Sequence, residues 1–255
     1  MQRLIINADD FGYNRDINAG ILHAHLAGVL TATTLMANGV AFDDAVRLAK
    51  QTPSLDIGAH LVLVQGNSIF DGRRLPETPR QLLALLLRRG LNVYTELKAQ
   101  IEKILAAGLH LSHLDSHKHT HLVPGVFRVV VNLADEFGIP YVRLPLDSTA
   151  RFAKVPCALA NRYYRRFARG KNVQMTDHFL GFELTGRLTE DTFAQALEKL
   201  ADGTTEFMCH PGFLGDELKQ SRTRLKESRQ RELEALTSPR IRELIAAKGI
   251  QLGPF

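Results

Sequence analysis

Cysteine is scarce: Cys157 and Cys209 are the only two, far apart and outside any Cys-x-x-Cys pattern. That argues against a disulfide framework and against a cysteine-based structural zinc site. Long hydrophobic runs are missing as well. The longest, Leu82-Leu83-Ala84-Leu85-Leu86-Leu87, is far too short to cross a bilayer, so no transmembrane segment is expected. Met1 to Ile6 is a brief apolar stretch closed by Asp9 and Asp10, so no signal-peptide core forms there and the cytoplasm is the expected compartment. No low-complexity tract or short-period repeat interrupts the chain. Several catalytic signatures are also absent: no G-x-S-x-G elbow, no H-E-x-x-H helix, no phosphate loop ending in Lys-Ser/Thr, and no G-x-G-x-x-G after the first strand. A net charge of +5 is too mild to imply a nucleic-acid partner, and no nucleic-acid-binding module accompanies it.

What is present is a chain of 255 residues, 45% hydrophobic, long enough for one large core. A single domain over 1–255 is expected. Short apolar runs alternate with amphipathic ones. Arg3 to Ala8, Thr31 to Met36, Leu55 to Val64, His110 to Ser116, Tyr141 to Leu144 and Thr204 to Cys209 read as strands, and Ile250 to Leu252 as a short last one. Helices are expected over Ile17 to Leu26, Phe42 to Lys50, Pro79 to Arg89, Thr95 to Ala107 and Val126 to Phe137. Another opens at N-cap Thr189, whose capping box is read as incomplete because Thr192 holds the third position, and one or two more fill Ser221 to Lys248. The alternation points to α/β with a mostly parallel sheet. An irregular (β/α) TIM-like barrel is the expected fold, with an open doubly wound sheet as its rival.

In such a barrel the reactive groups gather where strands end. Here those ends carry Asn7-Ala8-Asp9-Asp10-Phe11-Gly12, Gly58-Ala59-His60, His113-Leu114-Asp115-Ser116-His117-Lys118-His119-Thr120-His121 and Cys209-His210-Pro211-Gly212. Each has a plainer explanation alone: a turn or helix cap for the aspartates, a core position for His60, a surface tract for the cluster. Four of the ten histidines fall within residues 113–121, however, and their placement together with the others favours a metal site. That cluster fits a strand, with 113, 115, 117, 119 and 121 on one face, or a helix, with 113, 117 and 121 in a stripe. A strand ending near Asp115 or Ser116 suits the preceding glycine stop and Pro124 better.

Two neutral imidazoles and a carboxylate can hold one divalent cation and leave positions open for water and substrate. Consecutive aspartates offer a ligand and a proton acceptor, provided at least one lies beyond the regular strand. A histidine from the opposite rim, such as His210, could protonate a departing amine. Nucleophilic catalysis by Cys209 is disfavoured, because adjacent strand residues face apart.

These motifs, with Thr31 to Gly39 and Gly249 to Gly253, resemble in order and spacing the YdjC-like carbohydrate deacetylases, a family that includes chitooligosaccharide and hopanoid-biosynthesis deacetylases. The resemblance spans nearly the whole chain. It implies an irregular (β/α) barrel and metal ligation by Asp10, His60 and His117, with Asp9 as general base and His210 as general acid. The family metal is usually given as magnesium, whereas two imidazoles favour zinc or another transition metal, so Mg and Zn both stay open. The implied substrate is an N-acetylated amino sugar, free, oligomeric or lipid-linked. Oligomeric state is open too. His113, Asp115, His119, His121 and Arg143 are expected to brace the ligands or touch substrate, with Asp115 the candidate to hold a ligating imidazole. Asp177-His178 is read either as mouth lining or as a turn.

Residues 151–171 carry seven basic residues, Arg151, Lys154, Arg162, Arg165, Arg166, Arg169 and Lys171, interleaved with Tyr163, Tyr164 and Phe167. They fit a helix packing its aromatics inward, or a lid for an anionic or membrane-associated sugar. Two functional rivals remain: a phosphoesterase recruiting a second metal through His119 and His121, and a non-catalytic sugar-binding barrel.

Overall fold

Strand and helix alternate along the chain as the apolar periodicity requires. The computed structural model describes residues 1–146 and 154–255. β1 (Gln2–Phe11) leads into α1 (Arg15–Leu26), β2 (Ala32–Leu35) into α2 (Phe42–Gln51), and β3 (Asp56–Leu61) into α3 (Pro79–Leu87) and α4 (Val93–Ala106). β4 (His113–Ser116) precedes α5 (Pro124–Glu136), and β5 (Tyr141–Val142) precedes α6 (Lys154–Arg165). β6 (His178–Leu180), α7 (Glu190–Glu198) and β7 (Gly203–Cys209) follow, then α8 (Asp216–Gln220), α9 (Glu227–Thr237), α10 (Pro239–Ala247) and β8 (Gln251–Leu252).

The named strands pair in parallel, in the order β5-β4-β3-β2-β1-β7-β6, with β8 added beside the start of β1. At the open side of this order, the described residues join β5 to Gln174, ahead of β6, by an isolated bridge from Tyr141, and no ladder links β5 to β6 among them. The sheet is therefore a curled, irregular (β/α) TIM-like barrel. No helix among the described residues is long and apolar enough to cross a membrane.

Helix starts follow local chemistry. Asn14 caps α1 by accepting from the Ile17 amide at 2.9 Å, and Thr78 and Gln81 form a reciprocal capping box at α3. The box at α7 is complete, contrary to expectation: the Thr192 hydroxyl accepts from the Thr189 amide at 2.8 Å. A threonine is long enough to close the ring that glutamate or glutamine usually closes.

Alternation along the strands separates two environments. Leu4, Ile6 and Ala8 of β1, Leu114 of β4, and Phe207 and Cys209 of β7 point outward into the main apolar core beneath the helices. Asn7, Asp9, His60, Asp115, Arg143 and Glu206 point inward and bond to one another. The barrel interior is thus polar where such barrels are commonly filled with branched apolar side chains.

The segment before β6 packs onto this frame. Tyr164 and Phe167 face Phe127 of α5 at ring distances of 4.7 and 6.1 Å, and Arg166 lies over Tyr163 at 4.0 Å. Arg165 bonds the Met175 and Thr176 carbonyls, and Lys171 pairs with Asp135. Arg151 lies outside the described residues. Asp177 and His178 sit at the start of β6, where Asp177 accepts from the Thr204 amide at 2.8 Å and His178 meets the Asp202 carbonyl at 2.9 Å. They therefore lie at the opposite end of the strand from the mouth, not in its lining.

Candidate active site

The first strand does not stop at Ala8, as the sequence suggested, but runs on to Phe11. Its register with β2 shifts between Ala8 and Phe11, and Asp10 takes a left-handed φ of 72°. This is the signature of a β-bulge, which re-aims a side chain at a strand's end. Regular pleating would send Asp9 and Asp10 to opposite faces; the bulge turns both into the barrel mouth. Close approach helps on the other side. A Cβ on Gly20 of α1 would lie 2.4 Å from the Gly212 Cα, so only glycine lets α1 seat the loop that follows His210.

Asp10, His60 and His117 come together. His117 Nδ1 is 3.0 Å from Asp10 Oδ1, His60 Nε2 is 3.4 Å from the same oxygen, and the two ring nitrogens are 3.3 Å apart. Metal–ligand bonds of about 2.1 Å set cis donor atoms about 3.0 Å apart in an octahedron and about 3.4 Å apart in a tetrahedron. The triangle matches the spacing a single divalent cation demands. Each imidazole is held from behind: His60 Nδ1 donates to Asp115 Oδ1 at 2.7 Å, and His117 Nε2 to Gln65 Oε1 at 3.1 Å. Those bonds leave the nitrogen facing Asp10 as the one that could ligate a metal. Thr34 steadies Asp115 from its other oxygen at 3.1 Å.

Asp9, His60 and Asp115 form a second group with ligand atoms close enough to share an ion. Arg143 already fills that side, however, bonding Asp9 through two nitrogens at 2.8 and 2.9 Å, Asp115 at 2.6 Å and Glu206 at 2.6 Å. A cation there would face a buried guanidinium. The first group is the fitting one.

Electrostatics follow from this packing. Burial alone would raise the Asp9 carboxyl, but Arg143, His60 and His210 outweigh it and hold it well below the usual carboxylate range. Burial would likewise lower His60, yet the carboxylates of Asp115, Asp10 and Asp9 keep it up at about 10. The excess negative charge that retains this proton is what a metal ion would neutralise, so cation and proton compete for His60. His210 is driven down to about 4 by burial, against the pull of Asp9, whose Oδ2 lies 3.9 Å from its Nε2.

The remaining candidates divide. His119 lines the cleft beside Phe182, at 5.3 Å between rings. His121 does not reach it: Nδ1 meets the Ser116 hydroxyl and Nε2 the Arg143 carbonyl at 3.1 Å, which fixes the backbone carrying Arg143. His113 lies deeper still, stacked on Phe255 at 3.8 Å and bonded to Ser112, too far down the strand to brace a ligand or touch substrate. Cys209 faces the outer core, and burial pushes its thiol well above its ordinary value.

Three functional neighbours were not anticipated. Glu206 joins Arg143 inside the barrel, and Arg229 of α9 bonds Asp10 Oδ2, the oxygen turned away from the histidines. Glu232, one helical turn on, accepts from the His210 amide at 2.6 Å and lies 4.0 Å from its Nδ1. Burial raises the Glu232 carboxyl from its ordinary 4.5 to about 7. The folded protein therefore holds this proton more tightly than the unfolded chain does. The associated stability is complete below about pH 4.5 and is lost as pH climbs through about 7. Glu232→Gln should remove that loss, so its melting temperature relative to the parent should rise between pH 5 and 8, by the equivalent of about 2–3 kcal/mol. Parallel melting curves across that range would refute the assignment.

The cleft over these groups has a volume of about 1140 Å³ and is lined by Asp9, Asp10, His60, His117, His210 and Arg229. A family model described as YdjC-like protein matches residues 3–247. A carbohydrate deacetylase of Geobacillus stearothermophilus is 37% identical over 253 residues, covering 97% of this chain and 94% of the relative. A chitooligosaccharide deacetylase of Citrobacter koseri is 33% identical over 269 residues, covering 100% and 99%. Among solved structures, an Enterococcus faecalis protein provisionally described as a cellobiose-phosphate cleavage protein superposes with a TM-score of 0.81 at 28% identity, over 99% of this chain and 97% of that one.

Proposed function

The chain belongs to the YdjC-like protein family, and from that premise we propose that it is a metal-dependent hydrolase removing the acetyl group from the nitrogen of an amino sugar. The observation that carries this reading is the Asp10–His60–His117 triangle on the floor of an open cleft, flanked by Asp9 and His210. The names borne by the relatives, carbohydrate deacetylase and chitooligosaccharide deacetylase, support the same substrate class.

Amide hydrolysis requires that water lose a proton, that charge on the acyl oxygen be stabilised, and that the amine gain a proton before it leaves. Asp10, His60 and His117 would hold a divalent cation, which would supply Lewis acidity for the second need and lower the pKa of water for the first. Two imidazole donors favour zinc or another transition metal over magnesium. Asp9 is ionised at neutral pH and accepts the water proton. Arg143 fixes its plane through two parallel hydrogen bonds, holding Oδ2 3.9 Å from His210 Nε2. His210, neutral at rest and 3.9 Å from Asp9, takes that proton through one intervening water and delivers it to the amine nitrogen. One proton leaves water and one reaches the amine, so the step balances.

A phosphoesterase would typically require a second ion. His121, with both ring nitrogens engaged, offers no ligand for one. The test is acetate release from N-acetylglucosamine monomers, oligomers and lipid conjugates, after chelation and with zinc, manganese or magnesium restored. Acetate should appear only with metal present. Phosphate released from sugar phosphates without acetate from any amide would overturn the reading, as would sugar binding without turnover.

A further inference from the structure

α3 is apolar nearly all round, yet it lies on the surface. Its nine residues, Pro79-Arg80-Gln81-Leu82-Leu83-Ala84-Leu85-Leu86-Leu87, include five leucines, of which only Leu82 is fully buried. Leu82 and Leu86 pack on the core, so a turn of 3.6 residues sends Arg80, Leu83, Ala84, Leu87 and Arg88 to the opposite face. Leu83 is 48% exposed there and Leu87 79%. A surface helix ordinarily turns polar side chains outward, and one apolar on every side is ordinarily buried. This face therefore calls for a cover.

The cover must accept positive charge. No acid occurs between Glu77 and Glu96, while Arg80, Arg88 and Arg89, all exposed, border the leucines. Arg89 sits at a left-handed φ of 53°, in the turn that ends the helix. Its amide bonds the Leu86 carbonyl at 3.0 Å, and that of Gly90 bonds Leu85 at 2.9 Å. Glycine is the usual residue at such a cap, because a side chain strains this torsion. The chain instead carries a third cation at a position that favours glycine.

Two copies of the chain meeting through this face about a twofold axis would bring arginine against arginine, with no carboxylate of the helix to answer them. An anionic bilayer suits both parts of the face. Leucines enter the acyl boundary, and guanidiniums stay among the phosphates.

We infer that α3 is a docking surface for an anionic lipid bilayer, on which the chain lies peripherally. Leu83 and Leu87 insert, and Arg80, Arg88 and Arg89 hold the headgroups. The loop between β3 and α3 carries Gln65, the partner of His117, so the docking helix and the candidate metal site are joined by one short segment. The surface does not depend on which reaction the cleft performs.

Co-sedimentation of the full chain with vesicles is the test, using phosphatidylglycerol mixed equally with phosphatidylcholine, and phosphatidylcholine alone. The parent should partition onto the mixed vesicles in preference to the neutral ones, and the preference should shrink as salt is raised. Leu87→Glu should lower the partition coefficient by about tenfold or more, and Arg88→Gln combined with Arg89→Gln by about twentyfold. Arg89→Gly should lower it by about fivefold while raising the melting temperature, a pairing that a purely structural role would not give. Melting curves establish that each variant is folded. Failure of the parent to bind mixed vesicles overturns the inference. Binding that survives these substitutions does so too, since the contact would then lie elsewhere. A parent that dimerises in sedimentation velocity, with Leu87→Glu monomeric and no vesicle binding, would assign the face to a second copy instead.

Discussion

Asp9→Asn should lower turnover by about 10²–10⁴-fold, the usual contribution of a positioned general base, while the protein still binds its metal ion. The amide keeps the shape of the carboxylate and lies outside the Asp10–His60–His117 triangle, so the ligand set is untouched. His60→Ala and His117→Ala should behave differently. Each removes one of the three proposed ligands, so metal content measured after dialysis should fall below stoichiometric and activity should vanish with it. Metal analysis alongside acetate release separates the two classes. If Asp9→Asn remains fully active, the base lies elsewhere; if it too loses its metal, Asp9 is a ligand.

Arg143→Met should cost about 3–5 kcal/mol of stability, the range for removing one partner from a buried ion pair. Arg143 is 1% exposed and contacts Asp9, Asp115 and Glu206, so its loss strands three carboxyls in the barrel interior. In a chain of this size that corresponds to a melting temperature lower by about 6–20 °C. The pH dependence identifies the cause. Arg143 holds Asp9 below its ordinary range, and that stabilisation is present above the unfolded-state value and lost as pH falls through the folded one. Without the guanidinium, the stranded carboxyls rise and protonate on acidification, so the variant's deficit should shrink from pH 8 to pH 5. Arg143→Lys should rescue little, since an ammonium cannot present the planar fork that meets Asp9. A deficit independent of pH would mean that lost packing, rather than stranded charge, accounts for the effect.

The parallel barrel was legible because its outward strand face is apolar: Leu4, Ile6 and Ala8, or Phe207 and Cys209, mark buried strands whatever faces the other way. The residues at strand ends were legible for the complementary reason, since polar side chains closing an apolar run need a role. Depth was not. His113 and Asp115 share a face by alternation, but two residues along a strand are about 6.6 Å apart, and that separates a residue touching His60 from one stacked on Phe255. Glu206 could have been found by the same counting: it lies four residues before His210, on the same inward face as Met208. Arg229 and Glu232 could not, because Glu227 to Glu234 alternates charge of both signs and nothing local marks which side chains turn inward. The bulge at Asp10 was hidden too, for a backbone torsion leaves no mark in a pair of identical residues.

That bulge has a mechanical consequence. Because Asp9 and Asp10 are neighbours that both enter the same chamber, their Cα atoms are tethered about 3.8 Å apart by a peptide bond. Where a cation's ligand and its proton acceptor sit on separate segments, their separation depends on how those segments dock. Here a covalent ruler sets it, so heating or loosening the surrounding helices should blur substrate positioning before it disturbs the alignment of these two groups.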